Sequence, residues 1–135
     1  MSIPKNYYLM IDTETAGELD APLVYDYGGA IIDNKGRIIQ TFSLVISDVF
    51  YGMPEKMESA YYAEKLPEYH KEIALGLRKV RTIEQARRMT WYLINKYKVK
   101  AIIAHNARFD YNALNNTLSV CRDKKSYFFP YGLPI

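Results

Sequence analysis

Cysteine is almost missing from this chain, with Cys121 the single one. One thiol excludes an internal disulfide and a zinc site built on cysteines, and it suits a reducing compartment. It is expected to be buried or partly buried. Histidine is nearly as scarce: His70 and His105 stand alone, without the spacing of paired metal ligands. Long apolar runs are absent too. No stretch approaches the length of a membrane helix, and Pro4 and Lys5 precede only a short apolar run that already holds Asp12, unlike the core of a signal peptide. A cytoplasmic protein with no membrane partner is the expectation. Internal repeats, low-complexity segments and interdomain linkers are also lacking.

What is present fits one domain over residues 1–135, with 49% hydrophobic and 24% charged residues, a balance that excludes disorder. Tyrosine is the excess, at 13 residues; such rings fill cores with a polar tip or stack on bases. Charge is unevenly spread. Residues 1–60 carry 4 Lys/Arg against 9 Asp/Glu, a net −5, whereas residues 61–135 carry 14 against 6, a net +8. An acidic cluster for divalent cations beside a basic surface for phosphates would produce this split, as would solvated charged helices.

Tyr7-Tyr8-Leu9-Met10-Ile11 reads as a buried strand that delivers Asp12 to its C-terminal end. Tyr25 to Asp33 and Arg37 to Ile46 read as a hairpin around the turn Asn34-Lys35-Gly36. Gly28-Gly29 within it signals a bulge or a close backbone approach. Residues 54–77 turn helical, with Pro54, Pro67 and Gly76 limiting any helix to a few turns. Thr82-Ile83-Glu84-Gln85 is a capping box that starts a helix. Ile83, Ala86, Thr90, Leu93, Ile94 and Tyr97 share its inner side, leaving Arg87, Arg88, Lys96 and Lys98 outward. Residues 100–104 form a second short buried strand, His105-Asn106 a turn, and Arg108 to about Leu118 a helix. The tail from Ser126, with Pro130, Gly132 and Pro134, reads as loop.

Two acidic elements carry chemistry. Asp12 and Glu14 are two residues apart on an extended segment, so both side chains leave one face and can converge on a cation. Hard divalent ions prefer such oxygens, and two of them about 4 Å apart can activate a water and stabilise a phosphodiester's leaving oxygen. An isolated Asp-x-Glu is more often simply solvated. Asp110, in His105-Asn106-Ala107-Arg108-Phe109-Asp110, stands at a helix start just after a strand. There it can reach a site at the strand ends, or merely complement the helix dipole.

Taken together, Asp12-Thr13-Glu14-Thr15-Ala16-Gly17 and His105-Asn106-Ala107-Arg108-Phe109-Asp110 resemble the first and second motifs of DnaQ-like DEDD 3′-5′ exonucleases, each in the same strand-and-helix setting. The resemblance spans roughly residues 7–118. It implies an α/β, ribonuclease H-like mixed sheet, a three-stranded antiparallel start and then a parallel strand, flanked by helices. It further implies two Mg2+ or Mn2+ ions and a substrate of single-stranded DNA or DNA 3′ ends, with RNA as the other polymer, as in polymerase proofreading. By position, Asp12 corresponds to the carboxylate shared by both metals, Glu14 to a ligand of the tighter one and Asp110 to a ligand of the second. Thr15 and Ala16 would line the terminal nucleotide's pocket. Asn106 and Phe109 would position the second motif and the scissile strand, with Phe109 packed in the core.

The family's third motif, a His or Tyr that deprotonates water followed by a fourth acid, is missing. Asp123 is the only acid after Asp110, no His follows His105, and neither Tyr127 nor Tyr131 precedes an Asp. The reading is therefore a C-terminally truncated exonuclease domain lacking its last strand and closing helix. A polymerase or second chain supplying that part is one alternative, and an inactive nucleic-acid- or protein-binding module is the other. Lys and Arg between positions 78 and 100 add a basic face suited to phosphates or to solvent. His70 reads as a surface or capping residue, and His105 as a hydrogen-bonding anchor of its turn.

Overall fold

The first apolar run becomes a strand longer than its side chains suggest. The computed structural model describes residues 5–60 and 63–135, and β1 spans Tyr7–Ala16. Asp12 and Glu14 thus lie inside a strand rather than just beyond one. The cause is pairing: β2 (Leu23–Asp33) runs antiparallel to β1 from Tyr7 opposite Asp33 to Ala16 opposite Leu23, and ladder hydrogen bonds do not depend on side-chain polarity.

β3 (Ile38–Ile46) folds back antiparallel on β2. The turn between them is closed as its sequence predicts. Gly36 adopts φ 80°, and the Asp33 carboxylate accepts the backbone N–H groups of Lys35 and Arg37, each at 2.9 Å. Gly29 marks a close approach, since a Cβ there would lie 2.5 Å from the Met10 carbonyl oxygen and 2.5 Å from the Phe42 ring. The bulges fall elsewhere, at Glu14/Thr15, where β2 contributes the extra residue Tyr25, and at Ile31/Ile32.

Two short parallel strands complete the sheet. β4 (Lys79–Arg81) pairs with Leu44–Ile46; three residues with two charges carry no strand signal, and the sequence does not predict it. β5 (Ile102–Ile103) pairs with Leu9 and Met10 and is shorter than the expected 100–104. The order β4-β3-β2-β1-β5 makes a mixed five-stranded α/β sheet, antiparallel through its first three strands and flanked by helices.

Alternation along β3 separates two cores. Leu44 and Ile46 join one cluster and Val45 the other, so the clusters occupy opposite faces. The larger lies beneath α4 (Ile83–Tyr97) and α5 (Ala107–Arg122). The capping box of α4 is formed, with Gln85 N–H donating to Thr82 Oγ1 at 3.1 Å and Thr82 N–H to Gln85 Oε1 at 2.9 Å. Its inner stripe is the expected one, with Tyr97 partly buried. Arg87 departs from the outward set: it is half-buried over Trp91 and donates to the Tyr127 carbonyl. Cys121 is exposed, correcting the expectation of a buried or partly buried thiol, because the buried stripe of α5 ends at Leu118, nearly a turn earlier. The second cluster is covered by α1 (Ser47–Phe50), α2 (Pro54–Glu58), a 3-10 turn at Ala63–Lys65 and α3 (Leu66–Ala74). Positions 61 and 62 of the expected helical region, and Pro4 ahead of the first apolar run, lie outside the described residues. His70 is exposed beside the Phe50 ring.

The tail is irregular, as read, yet Phe128 and Phe129 are 0% and 2% exposed and belong to the larger core. The Ile102 N–H donates to the Pro134 carbonyl at 2.8 Å, so the tail also occupies hydrogen-bonding positions beside β5. Among the described residues no helix is long and apolar enough to cross a membrane.

Candidate acidic site

The pleat of β1 sorts its residues between the two faces. Ile11 and Thr13 are buried toward α4 and α5, whereas Asp12 is exposed and Glu14 half-buried on the other side. The β1–β2 register sets Asp12 opposite Gly28 and Glu14 directly opposite Asp26. Like charges facing each other across strands repel. Asp12, Glu14 and Asp26 line one cavity of about 350 Å³ with Glu68 and Glu72, answered by Lys65 and Arg78.

Asp26 is already engaged. It accepts the Tyr69 hydroxyl at 2.5 Å and Arg78 Nη1 at 3.0 Å. Arg78 also donates to Glu72 and lies 4.3 Å above the Tyr69 ring. Burial and the Asp26 carboxylate push the Tyr69 phenol far above its usual range, so it keeps its proton and cannot serve as a base at neutral pH. The Glu14 carboxyl is raised by burial first, then by Asp12, Asp26 and Asp110, against the opposing charge of Lys65.

Asp110 reaches β1 from another direction. The Leu9 N–H, on the β5 side of β1, donates to Ala101, and β5 pairs no farther than Met10. Beyond that point Asp110, in the first turn of α5 and 6% exposed, stands in for a strand. It accepts the Thr13 hydroxyl at 2.6 Å and is also held by the Thr13 backbone. Burial raises its carboxyl most and Asp12 adds to this, while the bonds from Thr13 oppose the rise. Asp110 thus makes specific contacts with the strand as well as sitting at a helix N-terminus.

The residues singled out from sequence are therefore only partly gathered. Asp12 and Glu14 share a cavity; Asp110 is close enough to act on Glu14 electrostatically, but one of its oxygens is committed to Thr13. Among the described residues no group of three or more His, Cys, Asp or Glu side chains is assembled tightly enough to hold a metal ion. Thr15 is half-buried, and Ala16 is packed in the second core, which leaves its backbone rather than its methyl to face a ligand. Asn106 is exposed and makes no side-chain cap bond, and Phe109 is half-buried and in neither core cluster, departing from core packing. His105 is exposed and makes no side-chain hydrogen bond among the described residues, so the turn is not anchored by it. Asp123, in the left-handed conformation, ends α5. Sequence reasoning missed Asp26 and Tyr69, and placed Arg78 only in the basic face; an acid inside the expected strand 25–33 was the one available signal.

The charge excess has a measurable consequence. A carboxyl with its folded pKa above its unfolded 4.5 destabilises the fold while ionised, and the penalty disappears as pH falls through the raised value toward 4.5. Glu14→Gln is expected to stabilise the metal-free protein at pH 7 by about 0.2–1 kcal/mol, and by almost nothing at about pH 3, well below both pKa values. Urea unfolding at the two pH values checks both. No known protein-family profile matches this chain, and no curated protein matches it.

Proposed function

We propose that this chain is the core of a divalent-metal-dependent 3′-5′ exonuclease that hydrolyses nucleotides from DNA 3′ ends, built on a ribonuclease H-like sheet. The observation that carries the reading is the placement of Asp12 and Glu14 on one face of β1, opening into one cavity with Glu14 opposite Asp26. The order β3-β2-β1-β5, antiparallel and then parallel, and the position of Asp110 in the first turn after β5 agree with the setting of the two motifs in DnaQ-like DEDD enzymes.

The donor chemistry fits a hard ion, because burial and the neighbouring Asp12 and Asp26 disfavour the ionised form of Glu14, and a divalent cation relieves that repulsion. Asp12 and Glu14 would hold it, and Asp110 would join by turning an oxygen from Thr13. Mg2+ or Mn2+ bound there would acidify a water and neutralise the leaving 3′ oxygen. Lys65 and Arg78 bring positive charge to the same cavity, where the phosphate's non-bridging oxygens require it. No base stands ready among these residues, since Tyr69 holds its proton; a positioned base ordinarily contributes about 10²–10⁴-fold, so turnover by this chain should be slow.

A second reading, an inactive nucleic-acid- or protein-binding module, is favoured by the ungathered carboxylates and by the engagement of Asp26 with Arg78 and Tyr69. A 5′-labelled single-stranded DNA incubated with Mn2+ separates the two. The exonuclease reading expects a ladder of one-nucleotide steps, slowed on the order of 10²-fold or more by Asp12→Ala. Binding without shortening, or shortening that survives Asp12→Ala, selects the module or a contaminating nuclease and ends the proposal.

A further inference from the structure

One strand edge of this sheet is left open. β4 pairs only with Leu44–Ile46, so the preceding stretch of β3, Ile38 to Ser43, has a strand on its β2 side alone among the described residues. Its sequence, Ile-Ile-Gln-Thr-Phe-Ser, contains no charge and no proline, two of the devices that block an edge; the bulge at Ile39 is a third, and it leaves Gln40 to Ser43 as the regular part of the edge. Ile38 and Ile39 are 68% and 43% exposed. Along this edge runs an open groove of about 690 Å³ lined by β3 residues 40–44, by Gln85 and Met89 of α4, and by Leu77, Lys79 and Arg81.

We propose that the groove takes an extended acidic peptide segment of a partner protein, which adds to β3 as a strand in the lane that β4 begins. This goes beyond the exonuclease reading and does not depend on it. A free edge offers alternating N–H and C=O groups, which match the backbone of an extended chain and give affinity without a large surface. The side chains around it choose the partner. Among the described residues Lys79 and Arg81 are the only charged ones lining the groove; both are exposed, and neither forms an ion pair there. The acid nearest them in sequence on α4, Glu84, is tied to Arg122. The register sets Lys79 beside Leu44 and Arg81 beside Ile46, on the sheet face of α4 and Met89. The acidic side chains of an added strand would point to that face and meet the cations, with small apolar ones on the other. A second copy of this chain fits poorly, because its own β3 edge is uncharged and follows Arg37, and so offers Lys79 and Arg81 no acid. Nucleic acid would use the cations but leave the backbone edge unanswered.

The test uses the full chain and two fluorescein-labelled ten-residue peptides, one alternating Glu with Val and Thr, the other with Lys in place of Glu. Saturable binding of the Glu peptide by anisotropy, at least tenfold tighter than the Lys peptide, is expected, together with slowed amide exchange confined to residues 38–43. Lys79→Glu/Arg81→Glu, on an exposed surface, should weaken the Glu peptide tenfold or more and reverse the preference. Equal binding of the two peptides, or unchanged exchange at 38–43 under saturation, overturns the proposal. Displacement of the peptide by oligothymidylate would assign the groove to nucleic acid instead, and protection of the same amides by protein concentration alone would assign it to a second copy; either outcome also overturns it.

Discussion

Replacing Phe128 by alanine is expected to cost about 3–5 kcal/mol, a large part of the roughly 5–15 kcal/mol that holds a domain together. The ring is 0% exposed. It stands edge-on to Tyr27 at 5.6 Å between centroids and to Phe129 at 5.0 Å. The backbone around it is fixed from two sides: its N–H donates to Asn115 Oδ1 at 2.7 Å, and its carbonyl accepts Trp91 Nε1 at 2.6 Å. A site pinned in this way cannot collapse onto the void, which places the cost at the upper end for an aromatic truncation. Tyr131→Ala, three residues on and fully exposed, should change stability by no more than about 0.5 kcal/mol. Urea unfolding of the two variants gives the comparison. A loss below about 1 kcal/mol for Phe128→Ala would mean that the tail is not part of the core.

Thr13→Val is expected to cost about 1–3 kcal/mol at neutral pH, although it removes only a hydroxyl and keeps the volume. The hydroxyl donates to Asp110, a buried carboxylate, and an ionised acceptor deprived of a donor bears the desolvation cost. The sign of the pH dependence follows. Asp110 is already raised above 3.8 by burial and by Asp12, and the bond from Thr13 works against that rise. Without the bond its pKa rises further, so the penalty is full where Asp110 is ionised and fades as pH falls through its folded value. Thr13→Ser, which keeps the donor, should lose much less. A Thr13→Val penalty independent of pH would show that packing, not the carboxylate, governs this position. In the exonuclease reading Thr13 is a positioning residue, and freeing Asp110 should alter the metal-concentration dependence of cleavage.

Much of the scaffold could be read directly. The hairpin around Asn34-Lys35-Gly36 and the α4 start at Thr82 were legible because turns and capping boxes are local: a few side chains decide them. The reach of β1 to Ala16, the strand β4 and the shortness of β5 depend on pairing partners distant in sequence, which no local pattern contains. The burial of Phe128 and Phe129 escapes a local pattern for the same reason, since a proline-bearing tail carries no periodicity even when its rings fill a core. At the site, the shared face of Asp12 and Glu14 followed from strand alternation. Asp26 did not, because the residue opposite Glu14 is fixed by the β1–β2 register and the bulge at Tyr25. Nor could sequence show that an oxygen of Asp110 is held by Thr13, a contact across 97 positions.

The central claim, that the acidic face of β1 holds a divalent cation, is tested most directly by titrating Mn2+ into the metal-free protein and following the free-ion signal by electron paramagnetic resonance. Saturable binding is expected, weakened at least tenfold by Asp12→Asn and by Glu14→Gln. Absence of saturable binding, or binding that both substitutions leave unchanged, would contradict it.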